Sequence, residues 1–457
     1  MKANYFRFWL GQVLLGLFIG CIALLDPFGL SSSSDAASSQ WINRIAASSY
    51  PDTGQQQVVV VLIDDAYLMR NATFWPLPYA QQSQLFRRLL AYKPRAVFVD
   101  LMYSHDHSLN DADNGSQLLV NVFERYREQG ISLLLANTGD TRGVNGQANA
   151  LAPLDQMSRR ALVKWSDVGD RYPLAVETSQ GLIETPALGL YREFCRDREC
   201  TGLPVDAAQA AQRAPIALRW GRTLSPLQSL ATSVAECSVA GNAWYAQLWQ
   251  AIFWKFGDSG QATCAYTLTL KASALEANSP EDRALLRQLL SDKLVLVGAQ
   301  ITSAGDLTQT PVHGLLPGVY LHAMALDNLV TYHDAYQRDP DSYFWLSISW
   351  LDLVQLGFVI VIVGLRAWYR RRRHRRAKAW RAPLFSWAIV QAALAVMCWG
   401  LWQNNISPAN VLAIAVLSIS IISAPIGLFA KRRWRSLVRY FAQRRRARIS
   451  LVEGTQG

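Results

Sequence analysis

Residues 58–101 read VVVVLIDDAYLMRNATFWPLPYAQQSQLFRRLLAYKPRAVFVDL. The opening run is apolar up to Asp64-Asp65. A run apolar on both faces suits a buried strand of a parallel sheet, which is covered on both sides. Trp75-Pro76-Leu77-Pro78 then breaks the chain. Beyond it Leu85, Phe86, Leu89 and Leu90 recur at helical spacing until Pro94 stops the run. Residues 96–101 form a second apolar run with Asp100 near its end. Strand, helix, strand is the repeating unit of an α/β sheet.

The pattern continues outward from this unit. Residues 116–127 have a helical pattern, and residues 131–136 form a third apolar run ending at Asn137. A fourth strand comes late, at residues 294–298 (LVLVG), after a helical stretch at 281–290. The expected fold is a mainly parallel sheet with helices on both faces, because parallel crossovers are right-handed. Between residues 138 and 291 the pattern weakens. Residues 214–220 read as a strand followed by a Gly221 turn, and 237–264 as a Trp- and Cys-rich elaboration. Residues 31–39 read as a Ser/Ala-rich linker, and 41–47 as a short helix.

The stretch 293–328 closes the α/β region. It carries a polar loop with Asp306 and Thr310-Pro311, then Gly318 and a segment with His322 and Asp327. That segment is expected to lead from the sheet towards the membrane.

The formal net charge is +11, but it is segregated. Lys2 and Arg7, residues 366–381 and residues 431–448 hold 20 of the 45 basic residues, whereas these parts and the tail hold one acid, Glu453. The remainder is net −8. This distribution follows the positive-inside rule and calls for no nucleic acid. Four apolar stretches, 8–25, 344–365, 384–402 and 409–430, approach the roughly 20 residues that cross a bilayer as helix. The domains expected are an anchor helix (1–25), an extracytoplasmic domain (26–343), a three-helix transmembrane region (344–430) and a basic cytoplasmic tail (431–457). The alternative for the first stretch is a cleaved signal sequence; it lacks a clear small-x-small site. Trp434, Leu437, Val438 and Phe441 among the tail arginines suit a helix lying on an anionic membrane surface.

Cysteine usage agrees with export. Cys195, Cys200, Cys237 and Cys264 are the thiols of the exported part, and an oxidising compartment would allow Cys195–Cys200 and Cys237–Cys264 disulfides. Four unpaired thiols are the alternative. The spacings fit no standard zinc finger.

In open parallel sheets, ligands bind beyond the carboxyl ends of the strands. Asp64, Asp65 and Asp100 should lie on that edge, with Asp306 and His322 within reach of it. They are the candidate ligand-binding residues. The competing reading has each Asp capping a helix or stitching a loop. His105-Asp106-His107 with Asp111 and Asp113 reads as a solvated turn rather than a metal site. His322 reads either as a pH switch or as a hydrogen-bonded core histidine. No Ser nucleophile elbow, His-Glu-x-x-His or phosphate loop occurs, so neither catalytic residue nor cofactor is assigned. Asp352, Gln355 and Gln391 read as intramembrane polar residues, which face a bundle interior or a partner.

VVLIDD at residues 60–65, Trp75-Pro76, AVFVDL at 96–101, LVLVG at 294–298, Asp306 with Thr310-Pro311, and Gly318 through His322-Ala323 to Leu326-Asp327-Asn328 occur in this order. In that order they resemble the second type of CHASE domain, an extracytoplasmic sensory module associated with cyclases and histidine kinases. The resemblance covers most of residues 40–335. Its middle, 140–290, departs from the pattern except near Arg219–Gly221. It implies a periplasmic sensor followed by three spans in a bacterial inner-membrane protein. Only 27 residues follow Ala430, so the output is expected on a separate effector protein. A homo-oligomer is left open. The alternatives are a membrane scaffold subunit of an envelope complex and an exported metal-dependent hydrolase using Asp64, Asp65 and Asp100.

Overall fold

The computed structural model describes residues 2–25, 30–103, 114–140, 151–165, 171–231, 264–303, 305–343, 348–372, 381–408 and 410–422. The chain divides into two compact units. One comprises residues 39–339, and the other residues 1–38 with 340–457.

The first unit is built on six strands: β1 (Val58–Asp64), β2 (Ala96–Val99), β3 (Ser132–Asn137), β4 (Arg159–Leu162), β5 (Leu268–Lys271) and β6 (Leu294–Gln300). Their order across the sheet is β4-β3-β2-β6-β1-β5, and every pair is parallel. β6 is inserted between the first two strands, with Leu294 opposite both Val58 and Ala96. Burial on both faces explains why β1 and β6 carry no alternation of apolar and polar residues.

Side chains alternate between the two faces of each strand. Val59, Val61 and Ile63 of β1 meet α1 (Tyr79–Leu90), α2 (Gly115–Glu128) and α4 (Pro280–Leu290) in one core. Val58, Val60 and Leu62 point into the other core, with α3 (Pro186–Phe194) and α5 (Val319–Tyr332). The partition follows from crossover handedness. The steps β1→β2, β2→β3 and β5→β6 all run in one direction along the sheet, and their helices share one face. The return from β4 to β5 runs the other way, and α3 covers the opposite face.

α1 stops where the periodicity placed its end. Lys93 takes a left-handed φ of 50° ahead of Pro94, and Pro cannot continue a helix. Other expectations are corrected. Residues 31–39 are not a linker, and the short helix at 41–47 is the end of a longer one, Leu30–Ala46. Alanine favours this helix, and its serines bond within it: the Ser38 hydroxyl donates to the Ser34 carbonyl at 2.7 Å. The polar loop after β6 is a hairpin of β7 (Leu307–Thr310) and β8 (Gly314–Pro317). Of residues 214–220 only Ile216–Ala217 is strand, paired with Arg171–Tyr172. The segment with His322 and Asp327 does not lead off the domain. It is α5, a core helix with 11 of its 14 residues buried.

In the second unit, helix Lys2–Leu25 packs antiparallel on helix Trp350–Arg372. Gly20 lies against Leu356, Gly16 against Ile360, and Trp9 beside Gly364. Two glycines four residues apart share one helix face and admit the partner closely. Helices Arg381–Gln403 and Val411–Ser418 complete this unit, with Ile362, Val390, Leu394, Ile414 and Ile421 in its core. Two helices among the described residues are long and apolar enough to cross a membrane, Trp350–Arg370 and Arg381–Gln403. Trp9–Ile22 and Val411–Ile422 are shorter apolar helices. The rest of the fourth expected span and the basic tail lie outside the described residues.

Asp352 is not set deep in a span. Its helix begins at Trp350, which puts it in the first turn. There it forms a reciprocal capping box: Ser349 donates its N–H (2.7 Å) and hydroxyl (2.8 Å) to the Asp352 carboxylate, and the Asp352 N–H donates to the Ser349 hydroxyl. Gln355 is buried. Gln391 donates to the Ser418 hydroxyl at 2.6 Å, which ties two apolar helices together.

Candidate functional site

β1, β2, β3 and β6 end on one edge of the sheet, and that edge carries Asp64, Asp100, Asn137 and Gln300. Asp64 caps the short helix Asp65–Arg70: its carboxylate accepts the Tyr67 N–H at 2.8 Å. Its other oxygen lies 3.3 Å from the Lys271 ammonium of β5. Asp65 accepts from the Thr302 N–H and hydroxyl. Both side chains therefore fasten loops at the β1–β6 end of the edge.

Asp100, one residue past β2, has different surroundings. Its N–H continues the ladder to the Val297 carbonyl at 2.8 Å, but its half-buried carboxylate receives no hydrogen bond among the described residues. Burial, reinforced by the neighbouring Asp306 carboxylate, pushes its pKa up to about 7. Asp306 folds back over the start of α5. A Cβ on Gly318 would lie 2.8 Å from its carboxylate, and one on Gly298 would lie 2.6 Å from Val319. Only glycine at both positions lets strand, loop and helix meet this closely. Partial burial raises Asp306, and a hydrogen bond from the Gly318 N–H offsets part of the rise.

His322 sits one turn into α5 and is buried. Its Nδ1 lies 2.8 Å from the Tyr172 hydroxyl, and the rings of Phe98, Trp165 and Tyr172 pack around it at centroid distances of 5.4, 6.1 and 5.6 Å. Burial lowers its pKa to about 3, so the imidazole is neutral. The Tyr172 oxygen accepts the Ala187 N–H at 3.3 Å and gives its own proton to Nδ1, which assigns the imidazole proton to Nε2. Tyr172 is also close enough to feel the Asp100 charge.

The five candidates therefore separate. Asp100, Asp306 and the His322–Tyr172 pair gather near the N-terminus of α5, while Asp64 and Asp65 are engaged elsewhere. Among the described residues no group of three His, Cys, Asp or Glu is placed to hold a metal ion. The hydrolase trio Asp64, Asp65 and Asp100 is thus not assembled as a metal site. The His105–Asp113 cluster lies outside the described residues.

The other end of α5 is also polar. Asp327 is fully buried; the Tyr50 hydroxyl donates to its Oδ1 at 2.7 Å and Thr331 at 3.3 Å. Burial pushes its pKa up to about 7. Asn328 accepts the Arg219 N–H (3.0 Å) and donates to the Arg219 carbonyl (2.9 Å) and the Met324 carbonyl (2.7 Å). The Arg219 guanidinium packs over Tyr332 and donates to Gln337. Arg219-Trp220-Gly221 and Asp327-Asn328, two of the sequence motifs, are thus neighbours through the backbone. Tyr172, Trp165 and Tyr50 carry no signal of their own in the sequence.

Cys195 and Cys200 are disulfide-bonded, with Cα atoms 5.7 Å apart, at the end of α3. Cys264 is also disulfide-bonded, and Cys237 lies outside the described residues.

A family model described as CHASE2 domain matches residues 14–365. The chain belongs to the CHASE2 domain family. CHASE2 domains are extracytoplasmic sensory modules, so the sheet with its open carboxyl edge is the sensory part of the chain. The match begins inside helix Lys2–Leu25 and ends inside helix Trp350–Arg372, and so includes Gly16, Gly20, Leu356 and Ile360. The CHASE2 region thus carries its own antiparallel helix pair. No curated protein and no solved structure matches the chain.

Proposed function

We propose that this protein is a sensor of the bacterial inner membrane. Its CHASE2 domain, residues 26–343, lies in the periplasm, and four helices cross the bilayer. The sensed state is relayed through the helices to an effector on a separate polypeptide. One observation carries the topology. The antiparallel pair brings Lys2 and Arg7 to the same end as Arg366 and the arginines at 370–372, and positive ends stay cytoplasmic. Four crossings are consistent with every basic cluster on that side.

The sensing surface in this reading is the carboxyl edge around Asp100, Asp306 and His322–Tyr172. A carboxyl with a pKa of about 7 and no hydrogen-bond donor gains from a proton or a cationic group, so either would shift its equilibrium. α5 begins at this edge and runs beneath the sheet, and so is placed to carry the change.

Topology is tested by single-cysteine labelling of the full chain in intact cells. A membrane-impermeant maleimide should modify a cysteine at exposed Val205 before lysis and one at position 375 only after it. The reverse pattern would overturn the reading. Sensing is tested by hydrogen exchange through α5 at pH 5.5 and pH 8. Identical protection at both, together with no response to added cations, would leave a membrane scaffold as the better account.

A further inference from the structure

The helix pair Lys2–Leu25 and Trp350–Arg372 is in close contact at one end and parted at the other. Gly16 and Gly20 bring the helices together at Ile360 and Leu356. Towards the other end Gly364 offers no side chain to fill the gap beside Trp9, and the helices leave a groove of about 280 Å³. Its walls include Trp9, Gln12, Val13, Val361, Gly364 and Trp368, of which only Gln12 is neither apolar nor aromatic. A second helix is about 10–12 Å across with its side chains and does not fit such a recess. An unbranched acyl chain does.

The charge at the open end selects the chain's headgroup. Positions three, four and seven apart share a helix face. By that register the groove face continues past Trp368 to positions 371 and 372, both arginine, and past Trp9 to Tyr5 and Lys2. Helix Lys2–Leu25 contains no acid, and Asp352, the one acid of its partner, is at the far end. An apolar slot leading to three cationic positions matches one amphiphile, an anionic phospholipid.

We propose that this groove binds an anionic phospholipid, with an acyl chain between Trp9 and Trp368 and the phosphate at Lys2, Arg371 and Arg372. The site lies inside the CHASE2 match at Trp368's neighbours Val361 and Gly364, and it rests on the membrane reading above. A bound lipid would bridge the first and second spans where they separate. The spacing of the two helices at their cytoplasmic ends would then depend on lipid composition.

The test uses the full chain in detergent, incubated with phosphatidylglycerol or with phosphatidylcholine of the same chains, passed through gel filtration and analysed by native mass spectrometry. Wild type should retain phosphatidylglycerol preferentially. Gly364→Leu fills the slot and should lower retention of both lipids by about five-fold or more, the equivalent of losing a few buried methylenes. Arg371→Gln with Arg372→Gln should reduce the preference for phosphatidylglycerol by about five-fold per charge while sparing phosphatidylcholine. Gly357→Leu is the folding control, because a Cβ there meets nothing within 4 Å, and it should leave retention unchanged. Equal retention of the two lipids by wild type, or retention by Gly364→Leu equal to wild type, overturns the proposal. Carbonate extraction separates the two readings: a chain released from membranes sinks the membrane assignment itself, whereas a resistant chain without selective lipid retention sinks only the groove.

Discussion

Asp100 lies at the carboxyl edge of the sheet and Asp327 near its opposite end, and burial pushes both carboxyl groups up to about 7. Their surroundings differ. Asp327 accepts from Tyr50 and Thr331, lies against Gly54 four residues before β1, and is followed by Asn328, whose amide makes three hydrogen bonds to backbone. Asp100 accepts none, and its nearest charged neighbour is another carboxylate, Asp306. A buried polar group tied to backbone specifies the fold, because removing it strands its partners. A carboxylate with no donor does nothing of that kind and remains available to a ligand or proton. The amino end of the domain is therefore read as structural and the carboxyl edge as responsive.

The largest expected effect falls on the structural side. Asn328→Ala leaves the Arg219 N–H and C=O unsatisfied in the core and should cost about 4 kcal/mol, at 1–3 kcal/mol for each stranded group. Denaturant unfolding of the full chain measures it. A loss below about 1 kcal/mol would show that water replaces the amide and would blur the contrast between the two ends.

Next come the two carboxyls themselves. An Asp whose folded pKa lies above its unfolded value near 4 binds more protons when folded. The stability it contributes is complete below about pH 4 and is lost as pH rises through about 7. Asp327→Asn keeps the Tyr50 hydrogen bond and removes the ionisation. Between pH 5 and pH 8 the wild type should lose about 2 kcal/mol more stability than this variant, since each pKa unit is about 1.4 kcal/mol. Asp100→Asn should flatten the profile in the same direction but less, because that carboxyl is half-exposed. It alone should also abolish the pH dependence of exchange at the start of α5. If Asp327→Asn abolished that response instead, the assignment of the two ends would be reversed.

His322 has the opposite sign. Its pKa is lowered to about 3, so it contributes stability above about 6.5 that is lost as pH falls through about 3. His322→Phe should remove this acid sensitivity. It should also cost about 1–2 kcal/mol at neutral pH by leaving the Tyr172 hydroxyl without its acceptor. Unfolding followed at pH 4 and pH 7.5 separates the two effects.

The core of the sheet was legible because burial on both faces leaves unbroken apolar runs, as in VVVVLI and LVLV. The sheet's edges were not. β4 opens with Arg159 and Arg160, both exposed, and β5 reads LTLK with every second residue only half-buried. Such short strands match turn and loop composition as well as they match strand. The insertion of β6 between β1 and β2 is a long-range fact that no local period encodes. The same holds for the site. Asp100 and Asp306 could be placed at an edge by the pattern alone. The Tyr172–His322 pair spans 150 residues and is made by a segment with no strong periodicity. Asp352 misled because hydropathy does not register the helix start at Trp350, whereas Ser-x-x-Asp is a capping pattern in its own right.

The smallest effect sharpens the comparison most, because it falls on the same edge as Asp100. Asp64 differs from Asp100 chiefly in having Lys271 at 3.3 Å and the Tyr67 N–H at 2.8 Å. Lys271 is 31% exposed, so the ion pair is screened and Lys271→Met should cost only about 0–1 kcal/mol. Asp64→Ala removes the cap as well and should cost about 1 kcal/mol. The informative quantity is the Asp64 carboxyl's own titration, followed by carboxyl-carbon NMR. If donors and cations decide which edge carboxyls are silent, Lys271→Met should move the Asp64 pKa up towards that of Asp100. If it does not move, the cap alone holds Asp64 ionised. What distinguishes Asp100 would then be the absence of a helix to cap, a property of the chain following β2 rather than of the charges around it.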